Sequence, residues 1–459
     1  MSDRYSKLFA EYSHNVSWED LPPETIHEVK RRVLDNIGVS IAAFAEDAPK
    51  AARLYAYELP MENGATVWGT PVKVPPEVAT FANGLMVRYL DFNDTYLSLE
   101  PLHPSDMIPG IMALCEWTRR PVREIFPAIA AAYEVAVNLC DAASVRAYQW
   151  DHVVYTGIGA ACGAGRFLGL SVDEIEQTIS IASVPHASMR QTRAGELSMW
   201  KGAAAANSVR NAVFAGLVAR QGLTGPFSPF EGEMGFFVQL LGGNPFDMNA
   251  LKSLETNAAP TRIQDTYLKK WPVEYHAQSA VDAAVDIREE LGGDPSRIES
   301  IHLDTFKVSY EIIAKDQEKW EPKTRETADH SIMYIVAATL LDGTITKHSF
   351  SQERLRDPDI KRLLKSMTLE EDDELTKGYP DGIPNRVTVR TKDGGVFTKV
   401  VSYPRGHANN RMTDDETVAK FRLNVEELWV ESQTDRVIDL IWHLDEQKDL
   451  DELMKAIQI

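Results

Sequence analysis

The chain is poor in cysteine. Its 459 residues hold three, Cys115, Cys140 and Cys162, and none belongs to a CxxC pair. That argues against a zinc ribbon or a cysteine-ligated iron–sulfur centre, and three thiols on apolar stretches read as reduced core residues. Positive charge is also scarce. Lys plus Arg is 48 against 68 Asp plus Glu, a formal net charge of −20. Phosphate backbones need a basic footprint, so this balance argues against a nucleic-acid partner. Long apolar runs are missing too. No stretch reaches the roughly 20 uninterrupted apolar residues of a membrane span. The opening MSDRYSKLFAEYSHNVSWED has no apolar signal core and carries acids that a transit peptide avoids. There is no repeat and no low-complexity segment. The expectation is a globular cytoplasmic protein with no membrane segment. Its 44% hydrophobic residues suffice for a sizeable core. The length suggests roughly two to three domains.

What is present is a change of period along the chain. Residues 24–46 place Ile26, Val29, Val33, Leu34, Ile37 and Ile41 on one helical face. Residues 126–144 and 203–220 are Ala-rich and apolar nearly all round, which predicts buried helices. Asn207 and Arg210 are the polar exceptions in the second. Near residue 295 the period drops to two, with Ile301, Leu303 and Thr305 alternating with polar residues. Residues 387–391 and 396–401 flank Lys392-Asp393-Gly394-Gly395, a β-hairpin signal. Helices are predicted at 275–291 and 327–341, then at 414–423, 437–443 and 450–457. The fold class is therefore mainly α. A large all-helical domain (1–266 and 404–459) carries an inserted, smaller α+β domain (267–403).

Several stretches concentrate chemistry. In YLDFNDTYLSLEPLHPSD (89–106), Asp91 and Thr95 lie four apart, on one face if the stretch is helical. Pro101 and Pro104 end that helix, and His103, preceding a proline, is biased to extended backbone. Acids, a hydroxyl and an imidazole near one helix end suit acid/base work. A capped helix end with solvated acids is the plainer alternative. His152 precedes glycines at 157, 159, 163 and 165 that do not fit GxGxxG, so close helix packing is the better account of them. Arg190, Arg193 and Lys201 form a basic cluster that would also suit a solvated face. Arg210, among alanines and valines, wants an anionic partner. Lys269, Lys270 and His276 mark one domain junction, and Arg405 and His407 mark the other. His330 and Tyr334, four apart, would share a helical face. Taken singly each has a structural alternative. Together, cations at both junctions of an acidic chain suit a small polycarboxylate bound in an inter-domain cleft.

The blocks YLDFNDTYLSLEPLHPSDM, RQTRAGELSMWKG, TGPFSPFEGEMGFF, EYHAQSA, ETADHSIMY and YPRGHANNRMT occur in this order. In them the chain resembles the MmgE/PrpD family, and within it the branch that dehydrates 2-methylcitrate. The likeness runs from VLDNIG (33–38) to MTDDETVAKFR (412–422). It implies a helical domain with an α+β lid, a homodimer, catalysis without an organic cofactor, and conversion of 2-methylcitrate to 2-methyl-cis-aconitate in propionate breakdown. Other family members decarboxylate cis-aconitate or epimerise iminodisuccinate. The pocket of the decarboxylase branch matches Asp91, Thr95, His103, His152, Arg210, Lys269 and Tyr334 here. Arg210 stands where that branch has a lysine, and this chain is longer between Thr95 and His103.

On that basis Asp91, His103, His152 and Tyr334 are the expected catalytic residues. His103 and His152 transfer protons. Thr95, Arg210, Lys269 and Arg405 are expected to bind a small-molecule tricarboxylate. Two readings from other classes compete. One is a metal-dependent hydrolase using Asp91, Asp94, His103 and His152, whose spacing matches no tight metal motif. The other is a non-catalytic carboxylate-binding protein.

Overall fold

The computed structural model describes residues 3–459. Proline opens two of the long helices, Pro23–Ala42 and Pro76–Tyr89, at the first turn, where its missing N–H removes no helical bond. Helices Ile125–Ala142, Val153–Leu168 and Trp200–Ala219 form the interior of the helical part. Small residues let their backbones approach. A Cβ added at Gly159 would lie 2.7 Å from Ala136 Cβ, and one at Gly163 would lie 2.9 Å from Ala132 Cβ. On the other side, a Cβ at Gly157 would meet Ser208 Oγ at 2.6 Å. Helix packing accounts for the glycine spacing. Val122–Ala142 alone among the described residues is long and apolar enough to cross a membrane, and its neighbours bury it.

The α+β part is built on a four-stranded sheet in the order Met367–Glu371, Ile298–Thr305, Asn385–Thr391, Val396–Val401. The first pair is parallel and the others are antiparallel. The hairpin forms where the sequence predicts it. Thr388 pairs with Thr398, and Gly394 takes φ +86° in the turn. Helices Gln278–Glu290 and Ile332–Asp342 share one apolar cluster with Ile301, Leu303, Val387 and Val389 of the sheet. The strand Met367–Glu371 has no sequence signal. It is an edge strand that ends in two acids, so it lacks the apolar alternation of a half-buried one.

One apolar cluster joins residues from Tyr5 to Ile263 with residues from Phe421 to Ile457. A second runs from Val273 to Val389. Leu97, Tyr267, Tyr275, Phe306, Leu375 and Ile383 form a small cluster drawn from both parts. The returning helix Asp414–Val425 packs on Pro23–Ala42, where Phe421 lies over Gly38. Lys420 reaches deeper. It pairs with Asp35 at 2.6 Å and donates to the Phe92 carbonyl at 2.8 Å. The three cysteines are free and buried, and burial pushes the Cys115 and Cys162 thiols up to about 12.

Candidate active site

The helix Pro76–Tyr89 stops two residues before Asp91. Asp91 itself has φ +52°, a left-handed conformation that Asp tolerates better than most residues. The helical reading of 91–95 is therefore wrong. These residues open an irregular loop that folds back on itself through Tyr96 and Leu102, and Thr95 bridges to Tyr267. Asp94 shapes the loop from inside. One carboxylate oxygen accepts from Ser105 N at 2.8 Å and the other from Tyr133 Oη at 2.7 Å. Its backbone carbonyl accepts from His103 Nδ1 at 2.7 Å. Asp94 is thus turned away from the metal-ligand role that one reading gave it.

Four cationic or imidazole groups from distant parts of the chain converge on the buried Asp91 carboxylate. Arg88 lies at 2.9 Å, Lys201 at 2.8 Å and His330 at 3.5 Å, and Lys269 is paired with it directly. Lys269 also donates to the Asp91 carbonyl at 2.8 Å. Burial by itself would raise the pKa of Asp91. Arg88, Lys201, Lys269 and His330 outweigh it and hold the carboxyl well below its usual range. Lys269 is shifted down by burial, and Asp91 opposes that shift.

His103 and His152 are neighbours, with ring centroids 5.8 Å apart and planes inclined at 61°, edge to face. Burial, then the charge of Arg88, pushes His103 well down. Arg88 Nη2 donates to His103 Nε2 at 2.9 Å, which fixes the neutral tautomer with the proton on Nδ1. Burial and then Arg193 lower His152 to about 3, although Asp151 lies 3.3 Å from its Nδ1. Both imidazoles are therefore neutral at neutral pH. Arg88 occupies His103 Nε2, whereas His152 Nε2 has Arg193 only at 3.5 Å and is the freer to accept a proton.

These groups line a cavity of about 320 Å³. Thr95, His103, His152, Asp91 and Lys269 all reach it, so the structure gathers five of the eight sequence-predicted site residues. Eight arginine and lysine side chains line it against six acidic ones, in a chain of net charge −20.

Arg210, Tyr334 and Arg405, expected at the site, do not reach the cavity. Arg210 lies on Trp200–Ala219 nine residues beyond Lys201, about 13.5 Å further along the helix axis. It donates to Asn211 Oδ1 at 3.0 Å. Lys201, at the start of that helix, supplies the cation. Tyr334 points into the core of the α+β part and donates to the Ser349 carbonyl at 2.6 Å. It cannot share a helical face with His330, because the helix begins only at Ile332. Arg405 forks onto Glu416, with Nη2 at 2.5 Å. Sequence reasoning does not single out Arg88, which sits in the apolar run GLMVRYL with no local pattern to mark it.

Two family models match nearly the whole chain: the MmgE/PrpD N-terminal domain over residues 7–249 and the MmgE/PrpD C-terminal domain over 271–446. The chain belongs to the MmgE/PrpD family. It is similar to 2-methylcitrate dehydratase of Cupriavidus necator, 32% identical with 86% of this chain and 84% of that protein covered. It is 30% identical to 2-methylcitrate dehydratase of Salmonella typhimurium, over 89% of this chain and 87% of the relative. Human cis-aconitate decarboxylase is 25% identical, covering 99% of this chain and 94% of that protein. The protein is an enzyme of the hydro-lyase type.

Proposed function

We infer that the protein dehydrates 2-methylcitrate to 2-methyl-cis-aconitate, with citrate as a related substrate, in the breakdown of propionate. The observation that carries this reading is the pairing of two neutral, adjacent imidazoles with a cation-rich cavity in an acidic chain. Dehydration needs a base for a proton next to a carboxylate, an acid for the departing hydroxyl, and cations to hold the carboxylates.

His152 is the base. Asp151, beside its Nδ1, stabilises the imidazolium that forms when Nε2 takes the proton. The Lys269 ammonium, with its pKa lowered by burial, donates to the hydroxyl, which leaves as water. Arg88 and Lys201 hold the carboxylate on which charge builds, and His103 and Thr95 orient the substrate. Asp91 gathers the three cations and stays ionised throughout. A homodimer is proposed with this function. Trp200, Phe214, Phe227 and Met234 leave exposed apolar surface on the helical part.

The test is incubation with 2-methylcitrate, citrate, cis-aconitate and iminodisuccinate, following formation of the conjugated double bond and release of CO₂. Water loss from 2-methylcitrate is expected, with kcat lowered about 10²-fold or more by His152→Ala. CO₂ release from cis-aconitate as the only reaction would reassign the enzyme to decarboxylation.

A further inference from the structure

Four of the cations lining the cavity already have a carboxylate partner. Arg88, Lys201 and Lys269 are bound to Asp91, and Arg193 to Asp151. Arg146, Arg190, Lys315 and Lys319 have no carboxylate partner among the described residues, and of these four only Lys319 is buried. It is 5% exposed and lines the cavity, yet no carboxylate of the described residues lies within 4.0 Å of its ammonium. Asp329, Asp316 and Glu274 attract it and Lys201 repels it. Lys201 and Glu274 line the same cavity, and Asp329 lies 3.6 Å from Lys201, which places Lys319 on the side of the Asp91 cluster.

The backbone around Lys319 is fixed. The Ser331 hydroxyl donates to the Lys319 carbonyl. The same hydroxyl caps the helix Ile332–Asp342 by accepting from Tyr334 N at 3.1 Å. Trp320, the next residue, packs against the lid core. Ser331 directly follows His330, so Lys319 and His330 are held in one frame. An ammonium buried without a counter-ion is unfavourable unless an anion arrives to meet it.

We propose that Lys319 is a substrate-binding residue that receives a carboxylate of the polycarboxylate substrate, so that bound substrate supplies the missing counter-ion on the lid side of the cavity. This rests on the polycarboxylate reading of the site given above. A contact of this kind acts mainly on binding, because the carboxylate is present in substrate and transition state alike.

The experiment compares full-length wild type with Lys319→Met and Lys319→Arg. Calorimetric titration with tricarballylate, which has three carboxylates and no hydroxyl to lose, reads binding without turnover. Kinetics with 2-methylcitrate and thermal midpoints complete the set. Lys319→Met is expected to weaken tricarballylate roughly ten- to a hundredfold and to raise KM by a similar factor, with a smaller change in kcat. Lys319→Arg recovers most of the affinity. The midpoint of Lys319→Met stays level or rises, because an unpaired buried charge is gone. Tricarballylate affinity within about twofold of wild type in Lys319→Met overturns the proposal. So does an equal loss in both variants with a lowered midpoint, the mark of a structural role. Wild type that binds tricarballylate through Lys319 but leaves 2-methylcitrate unchanged would sink the dehydratase reading and leave this assignment standing.

Discussion

Asp91→Asn is the sharpest perturbation of the site. Asparagine tolerates the left-handed backbone at φ +52° and keeps one acceptor oxygen, so the variant removes charge with little change of shape. Three cations then lose this counter-ion, and among the described residues only Lys201 and Arg88 keep a second, more distant one, Asp329 at 3.6 Å and Asp106 at 4.0 Å. In an effective dielectric of about 20, a charge pair near 3 Å is worth roughly 5–6 kcal/mol before desolvation is subtracted. Breaking a buried pair by removing one partner costs about 3–5 kcal/mol net. That is a large part of a typical stability of about 5–15 kcal/mol. The urea midpoint should fall accordingly, and kcat/KM should drop by about 10²-fold or more as the cations disperse. The pH profile gives a second readout. Asp91 opposes the downward shift of Lys269, so without it the Lys269 pKa falls further and the alkaline limb of kcat moves to lower pH. The double variant Asp91→Asn/Lys269→Met removes a charge of each sign. It should be more stable than the sum of the two single losses by about 1–3 kcal/mol. Wild-type stability and turnover in Asp91→Asn, or strict additivity in the cycle, would refute the reasoning.

Other outcomes follow from placement. Arg210→Ala should leave kcat and KM for 2-methylcitrate unchanged, and a KM rise would restore its carboxylate role. Tyr334→Phe should also keep kcat/KM while costing about 1–3 kcal/mol in urea unfolding, because the Ser349 carbonyl loses its buried donor. His103, His152 and His330 have lowered pKa values in the fold, so the unfolded chain binds more protons below about pH 6.5. Stability is then full above that pH and falls on acidification by up to about 1.4 kcal/mol per pH unit for each histidine. For His152 the fall continues to about pH 3. His152→Gln should flatten the pH 5–7 slope of urea stability by about one such increment. An unchanged slope would contradict its buried, neutral state. Gly159→Val would put branched carbon against Ala136 Cβ and the Ala132 carbonyl, at 2.7 and 2.8 Å for the Cβ alone. A loss of about 1–3 kcal/mol or more is expected, with no selective change in KM, measurable by denaturant titration.

The parts that the sequence announces are those where burial imposes a period. The helices at Pro23–Ala42 and Ile125–Ala142 and the hairpin strands each bury a regular set of side chains, and that regularity is visible in one dimension. The loop after Tyr89 is set instead by partners far away, Tyr267 and Lys269 among them, and no local pattern records them. Arg210 misleads for a related reason. A helix that is apolar nearly all round offers no face to show which of its cations meets the cavity, and only packing selects Lys201. Tyr334 misleads because a four-residue step aligns two side chains only where the helix includes both, and here it omits His330.

Lys420 has a consequence for how the enzyme comes into being. Its ammonium clasps the Phe92 carbonyl, one residue past Asp91, from a helix that is laid down only after the whole lid has been made. A nascent chain still lacking residues 414–459 has no Lys420 to fasten that loop, so the turn beside Asp91 is completed only once the returning helix has been made.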